Sequence, residues 1–166
     1  MELPPARVPG QYVVGLVCLG NICRSPTADV VLSERVAEAG LSGRVRVVSC
    51  GTGGWHEGQP MDERAAATLT SAGYDATLHR AQTFTARWHE ETDVLLAMDE
   101  SNLADLGGRS ERTLLFGDFD PETPGAEVPD PYYGGPHGFE EVLAMVERTC
   151  TSLLAALRRA LEAQPS

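Results

Sequence analysis

Residues 12–17, YVVGLV, form a short and nearly continuous apolar run rich in β-branched side chains. A strand exposed on one face would alternate polar and apolar residues, so this run fits a strand buried on both faces of a parallel sheet. It ends at Cys18. After the polar, turn-like residues 19–25, Pro26 stands where a first helical residue is favoured. Ala28, Val31, Leu32, Arg35, Val36 and Ala39 follow at helical spacing until Gly40. Residues 45–49 (VRVVS), 94–98 (VLLAM) and 113–116 predict three further strands. Residues 62–72, stopped by Gly73, 99–106 and 138–163 predict helices. Strands alternating with helices imply the α/β class, here a doubly wound four-stranded parallel sheet with helices on both faces. Ligands of such sheets bind beyond the carboxyl ends of the strands, where Cys18 falls.

A chain of 166 residues suffices for one core and is short for two. The expected organisation is a flexible N-terminal extension over residues 1–10 and a single domain over residues 11–164. The first ten residues carry Glu2 and three prolines and lack the apolar centre of a secretory signal. No stretch approaches the roughly 18 apolar residues of a membrane span. Cys18, Cys23, Cys50 and Cys150 are too few and too scattered for a disulfide-built scaffold, so a reducing cytoplasm is expected. A formal net charge of −11 argues against a nucleic-acid or anionic-membrane partner. All 13 basic residues are arginines, which excludes a Walker-type phosphate loop and Schiff-base chemistry.

Residues 18–25 (CLGNICRS) place a thiol at a strand end and an arginine six residues on, just before a helix. A loop of this length can curl so that the amides of Leu19, Gly20, Asn21, Ile22 and Cys23 point inward. They would form an anion nest that the free amides of the helix N-terminus continue. Arg24 can hold two phosphate oxygens with its planar fork, and guanidinium, amides and helix dipole together favour thiolate over thiol at Cys18. Ser25 can donate to that sulfur and later stabilise it as a leaving group. A packing role is the plain alternative for a lone cysteine. Cysteine, arginine and serine at this spacing are hard to explain as packing.

Residues 17–28 (VCLGNICRSPTA) closely resemble the low-molecular-weight protein tyrosine phosphatase family. Residues 130–135 (DPYYGG) are similar to its general-acid loop, and residues 98–103 (MDESNL) to its segment at a central strand end. The three motifs stand in the family order across almost the whole chain. The resemblance implies Cys18 as nucleophile, Arg24 as phosphate clamp, Ser25 as thiolate partner and Asp130 as general acid. It implies that Asn21 braces the loop in a strained conformation, helped by Ser49 or Ser101 and by His79. Gln82 stands where many members have an arginine. Trp55 is similar to an aromatic wall of the family's cleft, and Gly54 stands where some members are acidic. Phosphotyrosine-containing proteins as substrates, inorganic phosphate as product and no cofactor follow from the same resemblance.

Asp130 also has a rationale of its own, since a departing tyrosine oxygen needs a proton that a loop carboxylic acid can supply. Asp118 and Asp120 are rivals in the same unpatterned stretch, residues 117–138. Neither precedes paired aromatics, whereas Tyr132 and Tyr133 could wall a cleft and stack on a phenyl ring. His56, His79, His89 and His137 show no metal-ligand spacing, and no metal is expected. His89 and His137 read as surface residues, Cys50 and Cys150 as core fillers. Cys23, five residues after Cys18, is placed for a reversible disulfide that would protect an oxidised Cys18.

Other chemistries on the same scaffold fit less well. Phosphoarginine-specific relatives typically carry threonine where this chain has Ile22. Arsenate reductases use further downstream cysteines, and none lies between Cys50 and Cys150. A non-catalytic phosphoprotein-binding module has no need of Cys18, Arg24, Ser25 and Asp130 together.

Overall fold

Four parallel strands, β1 (Tyr12–Cys18), β2 (Val45–Gly51), β3 (Val94–Ala97) and β4 (Thr113–Leu115), lie in the order β2-β1-β3-β4. They belong to a computed structural model that describes residues 1–132, 134, 135 and 137–162. The chain leaves β1 toward one edge, returns past it and finishes at the other edge. The point where the strand order reverses therefore lies beside the end of β1, and Cys18 stands there. Val17 is in register with Cys50 of β2 and with Ala97 of β3, and Cys18 with Gly51.

Successive strand residues face opposite ways. Tyr12, Val14, Leu16, Leu96, Leu114 and Phe116 join a large core with α1 (Arg24–Glu38), α2 (Glu63–Ser71) and α5 (His137–Glu162). Val17, Cys50, Leu95, Ala97 and Leu115 form a smaller core with Leu103 of α4 (Glu100–Asp105), backed by Trp88 of α3 (Arg87–Glu91). Both faces of β1 are thus covered, which is why its sequence is apolar without alternation. In α5 the buried Val142, Val146, Leu153 and Leu157 recur at helical spacing along one stripe. Among the described residues, no helix is long and apolar enough to cross a membrane.

The departures from the expected elements are local. α1 begins at Arg24, two residues before Pro26. Proline is tolerated anywhere in the first turn, where its missing N–H would have no helical partner. Asp62 is the cap of α2 rather than its first residue, accepting from the amides of Arg64 at 2.8 Å and Ala65 at 3.3 Å. Phe116 opens a 3₁₀ turn over Phe116–Phe119 instead of ending β4. The five-residue α3 is too short to show a period. Residues 1–10 lie against the domain: Leu3 is buried, the Tyr12 hydroxyl donates to the Pro4 carbonyl at 2.8 Å, and the Arg7 amide donates to Asp93 at 2.7 Å.

Candidate active site

The segment between Cys18 and Arg24 closes tightly because the end of β2 gives it room. Gly51 pairs with Cys18, and a Cβ on Gly51 would sit 2.7 Å from the Leu19 carbonyl oxygen and 2.9 Å from the Asn21 amide. The amides of Thr52 and Gly53 donate to the carbonyls of Cys18 and Leu19 at 3.0 and 2.8 Å. Asn21 has φ 57°, the one positive φ among the described non-glycine residues. Asparagine tolerates that region better than most residues, and here every polar group on it but the amide, which donates to the Cys18 sulfur, is used for bracing. Its Nδ2 donates to Ser25 Oγ at 2.8 Å and Ser49 Oγ at 3.1 Å, and its Oδ1 accepts from the Gln82 amide at 2.9 Å. Its carbonyl lies 2.7 Å from His79 Nε2. A carbonyl only accepts, so Nε2 carries the proton. Burial pulls the His79 pKa below its ordinary value, against that hydrogen bond and with help from the Arg80 charge.

The same web directs two donors at the nucleophile candidate. Cys18 is buried, with its sulfur 2.9 Å from Ser25 Oγ and 3.3 Å from the Asn21 amide nitrogen. Because Ser25 Oγ already accepts from Asn21, its own proton is free to point at the sulfur. Arg24 is also buried, with a side chain 3 % exposed. A buried guanidinium needs an anionic partner. Its NH1 donates to Asp99 Oδ2 at 2.6 Å and to the Val128 carbonyl at 3.1 Å, while NH2 lies 3.5 Å from Asp130 Oδ2. Asp99 is itself fixed as the cap of α4, accepting from the Asn102 amide at 2.7 Å.

Asp130 is the exposed member, its side chain 37 % accessible. Oδ1 accepts from the Tyr132 amide at 3.0 Å, a local turn that leaves Oδ2 facing Arg24. All of loop 18–24 but the buried Asn21, together with Asp130, Tyr132, Trp55 and His56, lines one cleft of about 440 Å³. The rival acids are occupied elsewhere. Asp118 binds Arg109 at 2.8 Å and the Leu115 amide at 3.0 Å, and the fully buried Asp120 holds Arg148 through both oxygens at 3.0 Å.

The structure thus gathers Cys18, Leu19, Gly20, Asn21, Ile22, Cys23, Arg24, Ser25, Trp55, Asp130 and Tyr132 at or beneath this cleft, with Ser49 and His79 behind Asn21. Ser101 is a correction. It is exposed in the first turn of α4, and the Asn21 side chain is satisfied by Ser25, Ser49 and Gln82 instead. Tyr133 lies outside the described residues. Cys23 is buried, and burial first, then the negative charges of Asp62, Cys18 and Asp130, push its thiol up to about 12. Among the described residues no group of three or more His, Cys, Asp or Glu side chains is gathered as for a metal.

Three participants were not legible as candidates. Asp99 orients Arg24, and its signal was present as an acidic residue at a strand end before a helix. Gln82 braces Asn21 through its backbone amide, a role no side-chain pattern announces. His56 lies beside Gly20, its Cδ2 3.1 Å from where a Cβ on that residue would stand.

Residues 13–163 match the model of the family described as low molecular weight phosphotyrosine protein phosphatase. A low molecular weight protein-tyrosine-phosphatase of Streptomyces coelicolor is 44% identical over 159 residues, 91% of this chain and 96% of that protein. Low molecular weight protein-tyrosine phosphatase A of Mycobacterium tuberculosis is 41% identical over 145 residues, 84% of this chain and 88% of that protein. The crystal structure of YfkJ from Bacillus subtilis superposes with a TM-score of 0.85 at 33% identity, covering 96% of this chain and 100% of that one.

Proposed function

Because the chain belongs to the low molecular weight phosphotyrosine protein phosphatase family, we propose that it hydrolyses phosphotyrosyl proteins to inorganic phosphate through a phosphate carried on Cys18. The phosphate dianion enters the ring of amides from Leu19 to Arg24, and the Arg24 fork, freed from Asp130, takes two of its oxygens. The Cys18 sulfur attacks phosphorus in line. As the phosphorus–oxygen bond breaks, protonated Asp130 gives its proton to the tyrosine oxygen. Water then attacks the thiophosphate, Asp130 takes a proton from it, and the sulfur leaves with the Ser25 hydroxyl stabilising its charge.

The observation that carries this reading is the convergence on Arg24. One buried guanidinium is held by Asp99 from the end of β3 and faces Asp130 from the long loop, in the cleft that Cys18 lines. Trp55 and Tyr132 supply aromatic surface for the phenyl ring of the substrate. The setting that suits this chemistry is a reducing cytoplasm, with Cys23 as a resolving thiol when peroxide oxidises Cys18. Turnover of phosphotyrosine and p-nitrophenyl phosphate by the purified protein in a chelator, lost in Cys18→Ser, tests the proposal. Tight phosphopeptide binding without turnover would make it a binding module.

A further inference from the structure

Arg64 has no task in the chemistry above, yet it stands between its two halves. Its guanidinium carbon lies 5.3 Å from the ring centroid of Tyr132 in the acid loop and 4.8 Å from that of Phe139 in the first turn of α5. Nε is 3.2 Å from Asp62 Oδ1 and NH2 is 3.0 Å from Oδ2, so the planar fork meets the carboxylate with both arms. Asp62 is not free to swing. Its side chain caps α2, and its own amide donates at 2.9 Å to the carbonyl of Ile22, inside the phosphate loop. From Tyr132 the path continues through its amide to Asp130 Oδ1 at 3.0 Å.

We propose that Arg64 is a positioning residue that fixes the Asp130 carboxyl relative to Cys18. It does so by lying over the Tyr132 ring from an anchor on the phosphate loop. The proposal rests on reading Asp130 as the general acid. A two-armed carboxylate contact made while the same group lies over two aromatic rings is what a planar guanidinium provides and an ammonium does not. The fold has little need of it: α2 reaches the core through Ala65 and Leu69, and the Arg64 side chain is 49 % exposed. The ion pair with Asp62 is therefore screened and worth little to stability.

A residue that acts through the proton donor matters in proportion to the need for a proton. The readout is kcat/KM, which reports steps through departure of the leaving group, for phosphotyrosine and for a nitro-activated aryl phosphate. Arg64→Ala is expected to lower the first about 5- to 30-fold and the second less than about 3-fold, with the melting temperature nearly unchanged. Arg64→Lys, which keeps a cation near the ring but not the two-armed hold on Asp62, recovers part of the loss and covers the case of an Arg64→Ala protein that folds poorly. Placed on Asp130→Ala, the Arg64→Ala change adds less than about 2-fold, because the group it positions is gone. Equal slowing of both esters, or losses that multiply with those of Asp130→Ala, overturns the proposal while leaving the Asp130 reading intact. If Asp130→Ala itself shows no dependence on the leaving group, the Asp130 reading falls and the role of Arg64 falls with it.

Discussion

The phosphate loop and the acid loop meet at Arg24, and they are built in opposite ways. In the first, Asn21, Arg24 and Ser25 are all but sealed from solvent, and Asn21 alone is tied to Ser25, Ser49, His79 and Gln82. In the second, Asp130 is more than a third exposed and takes one bond from its own neighbourhood, the Tyr132 amide. The difference follows from the tasks proposed for them. Donors that stabilise a multiply charged phosphoryl group act best when already in place, since any reorganisation is added to the barrier. A proton donor must meet leaving groups of different shape and then receive water, which suits a carboxyl on a loop.

The largest effect expected is at the centre of the rigid part. Cys18→Ser should lose on the order of 10⁴-fold or more of turnover, because an unactivated hydroxyl replaces the sulfur. Calorimetry should still find phosphate binding, since the amides and Arg24 remain. Loss of both together would mean that the loop does not hold its shape without the sulfur.

Asp130→Ala comes next and separates the two loops by chemistry. Tyrosine leaves as a phenol of pKa about 10, so kcat/KM for phosphotyrosine should fall roughly 10²- to 10⁴-fold, on the order of 3 to 5 kcal/mol in barrier. A nitro-activated ester should lose much less. Asp118→Ala and Asp120→Ala, measured alongside, should stay within a few-fold. Asp120→Ala should nonetheless lower the melting temperature, because Arg148 loses the carboxylate that both its arms hold.

A smaller loss is expected from loosening the brace. Asn21→Ala removes the side-chain bonds and places a less tolerant residue at φ 57°. A misplacement of about 1 Å in the reacting groups costs up to about 10²-fold, so a loss of roughly 10- to 100-fold is expected. It should be the same for activated and unactivated esters, the pattern opposite to Asp130→Ala. Asn21→Gly accepts the backbone conformation and separates lost bonds from strain.

Cys23→Ser should change basal turnover least, by no more than a few-fold, and should act on recovery from peroxide. Wild type recovers with added thiol; the variant, lacking a resolving sulfur, does not. The sign of the pH effect follows from the raised thiol. With Cys23 pushed up to about 12, its thiolate fraction at neutral pH is small. Closure of the disulfide onto an oxidised Cys18 should then accelerate about tenfold per pH unit across the neutral and mildly alkaline range. Trapping of the oxidised forms at timed intervals measures this, and a flat profile would remove Cys23 thiolate from the step.

What could be read from the sequence divides along the same line. The apolar run before Cys18, the spacing to Arg24 and the helix after it are contiguous, and local physics sets them. Sheet class, strand sequence positions and the loop's donors were legible for that reason. The helix starts two residues before Pro26, because proline fits any place in a first turn. Ser101 and Ser49 could not be separated as partners of Asn21, because the choice depends on which strand end lies beside the loop, and β2 does. Asp99, Gln82 and Arg64 act on residues 61 to 75 positions away, Gln82 through its backbone amide, so no local pattern marks them.

In the proposed reaction phosphate passes through the Cys18 sulfur. Mixing the wild-type protein with phosphotyrosine substrate, quenching within milliseconds and mapping the modified peptide by mass spectrometry tests it directly. Phosphate is expected on Cys18, appearing and decaying at rates consistent with steady-state turnover, and absent in Cys18→Ser. Phosphate on a histidine or an aspartate, or none at all while product forms, would rule out the cysteinyl-phosphate route.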